Sequence, residues 1–211
     1  MPDNSILSIV CVDVVALTYD HTARRVLIGT HTRAAPPYEG RLALPGVVVH
    51  SGERLREAAK RALVKIGIRE TAPALGQLRT FDEPSRDPRG PSLSIAMWAS
   101  FPDISSLTTE FAQWEPIDAM PDLAFDHNQI VDDALTILGD NLWRDTVFTR
   151  NLTGPEFTAT DAVAITGQIT GVAPHRANLN RDLAHIPDLT EAGTAPTVGG
   201  RPPKLWRWSA G

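Results

Sequence analysis

Apolar residues recur along this chain with two different periods. From Ile6 to Thr18 the chain is rich in β-branched residues, and Val26-Leu27-Ile28 follows a short turn. Leu93, Ile95, Met97, Ala99 and Phe101 alternate with mostly small or polar residues. These segments predict strands, the last of them half-buried. Between them Leu55, Ala58, Ala59, Ala62, Leu63 and Ile66 return at helical spacing, with Ser51 placed to cap the start and Gly67 just past the end. A second helix is predicted through Ile130, Val131, Ala134, Leu135 and Leu138, capped by Asp126 and stopped by Gly139. Asp140 to Glu156, which holds Gly154-Pro155, reads as a connection between domains. Beyond it Thr158 and Asp161 form a Thr-x-x-Asp start signal for a helix carrying Ala162, Val163, Ile165 and Ile169, broken by Gly171. Pro174 suits the first turn of the next helix, because its missing N–H has no intrahelical partner there, and Leu179, Leu183 and Ile186 give that helix an apolar stripe. A hairpin with Gly199-Gly200 in its turn and Lys204-Leu205-Trp206-Arg207-Trp208 as its last strand ends the pattern. Trp206 and Trp208 are expected as core or interface aromatics on the strand face that also carries Lys204. The whole predicts an α+β chain of two domains, 1–145 and 146–211.

Composition narrows the class. The 211 residues are 42% hydrophobic and 21% charged, near average globular usage, which argues against wholesale disorder and against collagen-like or disulfide-scaffold chains. No apolar run approaches the roughly 20 residues of a membrane span, and Met1-Pro2-Asp3-Asn4 lacks the basic region of a signal peptide, so the expected location is the cytoplasm. Cys11 is the single cysteine, which excludes an intramolecular disulfide and is expected as a buried structural thiol. His21, His31, His50 and His127 show no metal-ligand spacing, so no metal or cofactor is assigned. The net charge of −5 lies wholly in residues 1–150. From 151 onward Arg176, Arg181, Arg201, Lys204 and Arg207 are balanced by Glu156, Asp161, Asp182, Asp188 and Glu191. A nucleic-acid-binding segment is ordinarily more positive, so such a role requires these cations to converge on one face.

Leu44-Pro45-Gly46, then Val47-Val48-Val49-His50-Ser51-Gly52-Glu53 and Arg61, resembles the Nudix signature Gly-x5-Glu-x7-Arg-Glu-apolar-x-Glu-Glu-x-Gly-apolar. Placing Glu53 on its first glutamate puts Arg61 on the arginine and Val47 on the glycine. The resemblance implies that the later glutamates would hold magnesium or manganese. Those positions carry Ala62, Lys65 and Ile66, and one residue is missing before Gly67. None of the three offers the carboxylate oxygen that a hard divalent cation requires, and metal-assisted pyrophosphate hydrolysis depends on that cation. No catalytic residue is therefore assigned. Glu57 is spaced to pair with Arg61 along the exposed helix face. Arg33, Pro36-Pro37 and Gly40 to Gly46, including Arg41, are similar to the approach to the Nudix loop in ADP-ribose-type members. Phe81 to Gly90, which carries Arg86 and Arg89, is similar to another loop of those members. Arginines on such loops suit anionic phosphates. The same loop reads equally well as a solvated one with surface ion pairs.

Gly171 to Leu183 followed by Gly200 to Trp208 looks like the end of the Nudix-related transcriptional regulators, the NrtR family, and with Leu123-Ala-Phe-Asp-His127 the resemblance spans nearly the whole chain. It implies a Nudix-type α/β/α sandwich followed by a winged helix-turn-helix, a nucleotide effector such as ADP-ribose, double-stranded operator DNA and a homodimer. His175, Ala177, Asn180 and Asp182 depart from the family's usual residues, so its operator does not transfer. Read from the residues alone, a helix with Leu179, Leu183 and Ile186 inward leaves Ala177, Arg181 and His185 outward, flanked by Asn178 and Asn180. Asn pairs with adenine, Arg with guanine, and Ala meets a thymine methyl. Arg176, Arg201, Lys204 and Arg207 are phosphate candidates, Arg176 with the neighbouring helix as its alternative partner. The competing readings are a Nudix hydrolase of ADP-ribose or a nucleotide sugar with atypical metal ligands, and a nucleotide sensor that acts by protein contact alone.

Overall fold

The computed structural model describes residues 8–69, 74–102, 104, 107, 110–196 and 202–209. Arg201, the Gly199-Gly200 turn and the first residues of the expected N-terminal strand, Ile6 and Leu7, lie outside them. Strand β1 (Ile9–Asp20) is the spine of the first sheet. It pairs antiparallel with β2 (Arg25–Thr32) and β4 (Gly46–Val48), and parallel with β6 (Ser92–Phe101) from Ile9 opposite Ser92 to Thr18 opposite Phe101. Strands β3 (Leu42–Ala43), β5 (Ala74–Phe81) and β7 (Gln113–Pro116) complete it, in the order β3-β2-β1-β6-β5, with β4 on β1 and β7 on β2.

Both faces of this sheet are covered. Val12, Val14 and Ala16 of β1 pack beneath α1 (Leu55–Leu63), while Val15, Leu17 and Tyr19 face α2 (His127–Asn141), α3 (Thr146–Thr153) and α4 (Ala159–Thr170). The half-buried expectation for Leu93 to Phe101 is thus corrected. Ser92, Ser94, Ala96, Trp98 and Ser100 on the alternate face are buried, while Leu93 and Ile95 are only partly so, and alternation failed because small serines read as solvent-facing. The expected interdomain connection is also overturned. It contains α3, capped by Asp145, whose carboxylate accepts from the Val147 and Phe148 N–H groups, and it buries Phe148 and Leu152 completely.

The second sheet, β8-β10-β9, joins β8 (Glu156–Thr158), β9 (Leu189–Thr194) and β10 (Lys204–Trp208), and α5 (Arg176–Leu183) packs near it. Phe157, Leu179, Leu183, Trp206 and Trp208 form its core with Ala159 and Ala162. The expected Thr158–Asp161 capping box is present and Gly171 ends α4 in a left-handed conformation. Other boundaries move. Arg54, not Ser51, precedes α1; α2 runs past Gly139 to Asn141; and α5 begins at Arg176 behind His175, two residues beyond Pro174. α5 ends at Leu183, which leaves Ile186 and His185 in the turn after it. Trp206 and Trp208 are buried as expected, and the exposed Lys204 places its ammonium 5.8 Å from the centre of the Trp206 ring.

Candidate functional site

A pocket of about 190 Å³ opens at one end of the first sheet, lined by residues of β1, β2, β4, the loop before β6 and the start of α2. β1 contributes Cys11 and Asp13, and β4 contributes Gly46 directly opposite Asp13. A Cβ on Gly46 would sit 1.8 Å from Asp13 Oδ1, so only glycine lets the two strands approach here. Asp13 accepts from Ser94 Oγ at 2.6 Å, and its other oxygen lies 3.6 Å from His127 Nε2. His127 is buried, and its Nδ1 accepts from the Leu44 N–H at 2.9 Å. Loss of water pushes the His127 pKa below its ordinary value, against the pull of Asp13. Accepting at Nδ1 likewise fits a neutral ring whose Nε2–H faces Asp13.

Three of the four arginines expected at an effector site line this pocket: Arg33, Arg86 and Arg89. Arg41 does not. It donates to the Leu123 carbonyl at 3.1 Å and stands over the Tyr38 ring. Arg86 is buried and grips Asp126 through two bonds of 2.9 and 2.8 Å, with Asp13 at 3.5 Å. That arginine is a wall of the pocket, tied to the N-cap residue of α2. Asp126 consequently gives no side-chain cap to its own helix. Arg89 is bound to Asp87 at 2.7 Å. Arg33 donates to the Pro37 and Ala35 carbonyls and lies 4.6 Å over the Phe125 ring.

Glu53 and Arg61 stand together, but the expected Glu57–Arg61 pair is corrected. Arg61 takes Glu53 bidentately at 3.0 and 2.7 Å and reaches the Val48 carbonyl, while Glu57 pairs with Lys60 at 3.2 Å. Arg61, with help from the His50 N–H, holds the Glu53 carboxyl at about 2. Among the described residues no group of three metal-ligating side chains occurs. The pocket does not fit a divalent cation. Its acids Asp13 and Asp87 are engaged by Arg86 and Arg89, Ala62 and Ile66 are buried among apolar side chains, and Lys65 is on the wall. Cys11 also lines the pocket and is only partly buried, which corrects its reading as a core thiol.

Beyond α3 and α4, α5 presents Arg176, Ala177, Asn178 and Arg181 to solvent. Arg176 donates to Thr160 Oγ1 at 3.1 Å, which ties α5 to α4. Asn180 is half-buried and accepts from Trp206 Nε1 at 3.4 Å, so its amide is shared with the core beneath. His185, expected on the outer helix face, lies past the end of α5 with Nδ1 2.7 Å from the Arg181 carbonyl. In the sheet, Lys204 pairs with Glu191 at 2.6 Å and Arg207 with Glu156. Two of the segment's carboxylates, Glu156 and Glu191, thus sit beside the cations of β10, while Asp182 is exposed on α5, 3.8 Å from Arg181.

No family model matches the chain. A curated relative, the ADPR responsive transcriptional repressor NtrR of Acinetobacter baylyi, is 28% identical over 94% of this chain and 81% of its own length. Over nearly its whole length the chain is thus similar to a repressor of that name. Shewanella oneidensis NrtR, crystallised in complex with a 27mer DNA, superposes with a TM-score of 0.73 at 24% identity, over 95% of this chain and 93% of that one, which shows the shared fold. The NUDIX domain of the same protein, crystallised with ADP ribose, matches 65% of this chain and 93% of its own at 27% identity, with a TM-score of 0.54. The fold is therefore the Nudix sandwich with an appended winged helix-turn-helix.

Within this fold, residue-by-residue reading missed the roles of Asp13, His127 and Asp126. Their partners lie 73, 83 and 40 positions away, in Arg86, Leu44 and Arg86 respectively. The only signal was a polar Asp13 in a run of β-branched residues, a burial that demands a partner.

Proposed function

We propose that this protein is a sequence-specific DNA-binding transcriptional repressor, controlled by an ADP-ribose-like nucleotide at the pocket beneath β1 and α2. The observation that carries the reading is α5 with exposed Ala177, Asn178 and Arg181, joined through α4 to a Nudix sandwich whose pocket is rich in arginine. A repressor relative named as ADPR responsive, aligned over nearly the whole chain, supports it. Residues 1–145 form the sensing part and 146–211 the reading part, with α3 packed on the sensing sheet. In this reading α5 enters the major groove, where Asn178 and Arg181 read base edges, and a homodimer spans two half-sites. Arg176 and Arg41 act within the protein; Lys204 and Arg207 exchange their carboxylates for phosphates on binding, and Arg201 is a further phosphate ligand. The protein acts on DNA in the cytoplasm, and among the described residues no helix is long and apolar enough to cross a membrane.

The second reading, a hydrolase, draws on an ADP-ribose pyrophosphatase of Methanocaldococcus jannaschii, 32% identical over 104 residues but spanning only 46% of this chain. The engaged acids of the pocket favour a domain that binds without cleaving. The test is selection of genomic fragments by the full chain, followed by titration of the selected duplex. Arg181→Ala is expected to weaken binding about 5- to 150-fold, corresponding to about 1–3 kcal/mol, and to relax one position, whereas Lys204→Ala flattens the salt dependence. Enrichment of no sequence, or equal binding by residues 1–145, would overturn the reading.

A further inference from the structure

The pocket holds more positive charge than its acids neutralise. Arg33, Lys65, Arg86 and Arg89 line it, against Asp13 and Asp87, with Asp126 behind. Arg86 is matched to Asp126 and Asp13, and Arg89 to Asp87. No carboxylate pairs with Arg33 or Lys65 among the described residues. Arg33 uses Nε and one terminal nitrogen on the Pro37 and Ala35 carbonyls, which leaves guanidinium N–H groups for a ligand.

Lys65 lies in the helical turn after α1, between the buried apolar residues Ala62 and Ile66, on the segment that the signature resemblance assigns to metal ligands. We infer that Lys65, together with Arg33, binds a pyrophosphate group directly and takes the place of a divalent cation. The inference rests on the reading of this pocket as a nucleotide site. A single ammonium can offer three donors to phosphate oxygens and needs no carboxylate cage, whereas magnesium demands near-octahedral oxygen ligands that this wall lacks. Although Lys65 is exposed at its outer side, partial loss of water toward the pocket lowers its pKa, and the charge of Arg33 lowers it further. Two cations held in that relation are relieved by an anion, and a cation between them would add to the repulsion. The arrangement therefore selects for an uncomplexed diphosphate and against a metal-bound one.

The test is titration of the full chain with inorganic pyrophosphate by calorimetry, in EDTA and again with magnesium. Binding is expected in EDTA, and magnesium is expected to leave it equal or weaker. Lys65→Met should lose at least tenfold in EDTA and Lys65→Arg should retain most of the affinity; the exposed position of Lys65 makes both tolerable to the fold. Pyrophosphate binding that appears only with magnesium, or that survives Lys65→Met undiminished, would overturn the inference. Operator binding is read separately on the same samples. Loss of operator recognition with metal-free pyrophosphate binding intact overturns the regulator reading and leaves this one standing.

Discussion

At the scale of single residues, the pocket is built on contacts that admit one side chain. Gly46 faces Asp13 with no room for a methyl group, and Asp13 in turn holds Arg86 and Ser94. Gly46→Ala must displace that carboxylate, and by overpacking it is expected to cost about 1–3 kcal/mol of stability in urea unfolding. Full retention of stability would show that Asp13 moves freely and that the network is slack. His127 gives a dependence on pH. Burial lowers its folded pKa below the ordinary 6.5, so its contribution is complete above that value and is lost as the pH falls toward the folded pKa. The melting temperature is expected to drop as the pH falls below about 6.5, with a shallower slope in His127→Asn, whose Oδ1 stands where Nδ1 does and can accept from the Leu44 N–H. An unchanged slope would assign the dependence to other groups. At this scale the sequence was legible where a residue acts through its own neighbours, as in the Thr158–Asp161 box. It was silent where the partner comes from another strand, as for Asp13.

At the scale of elements, long periodic segments were legible and short or doubly covered ones were not. α1, α2, α4 and α5 announced themselves by apolar spacing. α3 did not, because its eight residues TVFTRNLT include three threonines and only three apolar side chains. α4 is the element on which the two parts depend. Ile165 and Ile169 pack in the first sheet's core, Ala159 and Ala162 in that of the second. Polar contacts fix it to the hairpin of β1 and β2: Gln168 accepts from the Val26 N–H and donates to the Arg24 carbonyl, both at 2.9 Å, and Tyr19 donates to Asp161 at 3.1 Å. Burial raises the Asp161 pKa, but bonds from His21 and Thr158 outweigh it and hold the carboxyl at about 2. Gln168→Ala leaves the Val26 N–H unpartnered and is expected to cost about 1–3 kcal/mol. Hydrogen exchange should localise the loosening to α4 and the start of β2. Uniform exchange across the molecule would instead mean that α4 is not a separately anchored element.

At the scale of the whole molecule, the proposed control requires a path from pocket to reading helix, and α2 lies along it. Its N-terminal Asp126 holds Arg86 and its His127 holds Leu44, both at the pocket. Near the other end, a Cβ on Gly139 would meet Thr170 at 3.5 Å and Ile169 at 3.8 Å, so the last turns of α2 and α4 touch at a glycine. A helix of 15 residues spans about 22 Å and moves as a rigid rod, so a ligand that shifts Arg86 and Asp126 displaces the seat of α4, and with it α5. Such a ligand acts only through a difference in affinity for two arrangements of the molecule. A coupling of about 1–3 kcal/mol changes operator affinity about 5- to 150-fold, and by linkage operator DNA must weaken the nucleotide by the same factor. Calorimetry with ADP-ribose, with and without operator, is expected to show this reciprocity in the native chain. In Gly139→Ala, which fits the available space, the coupling should persist, whereas Gly139→Leu forces the helices apart and should bring the two nucleotide affinities together. Equal nucleotide affinity with and without operator in the native chain would remove the coupling itself. Undiminished coupling in Gly139→Leu would place the path elsewhere than along α2.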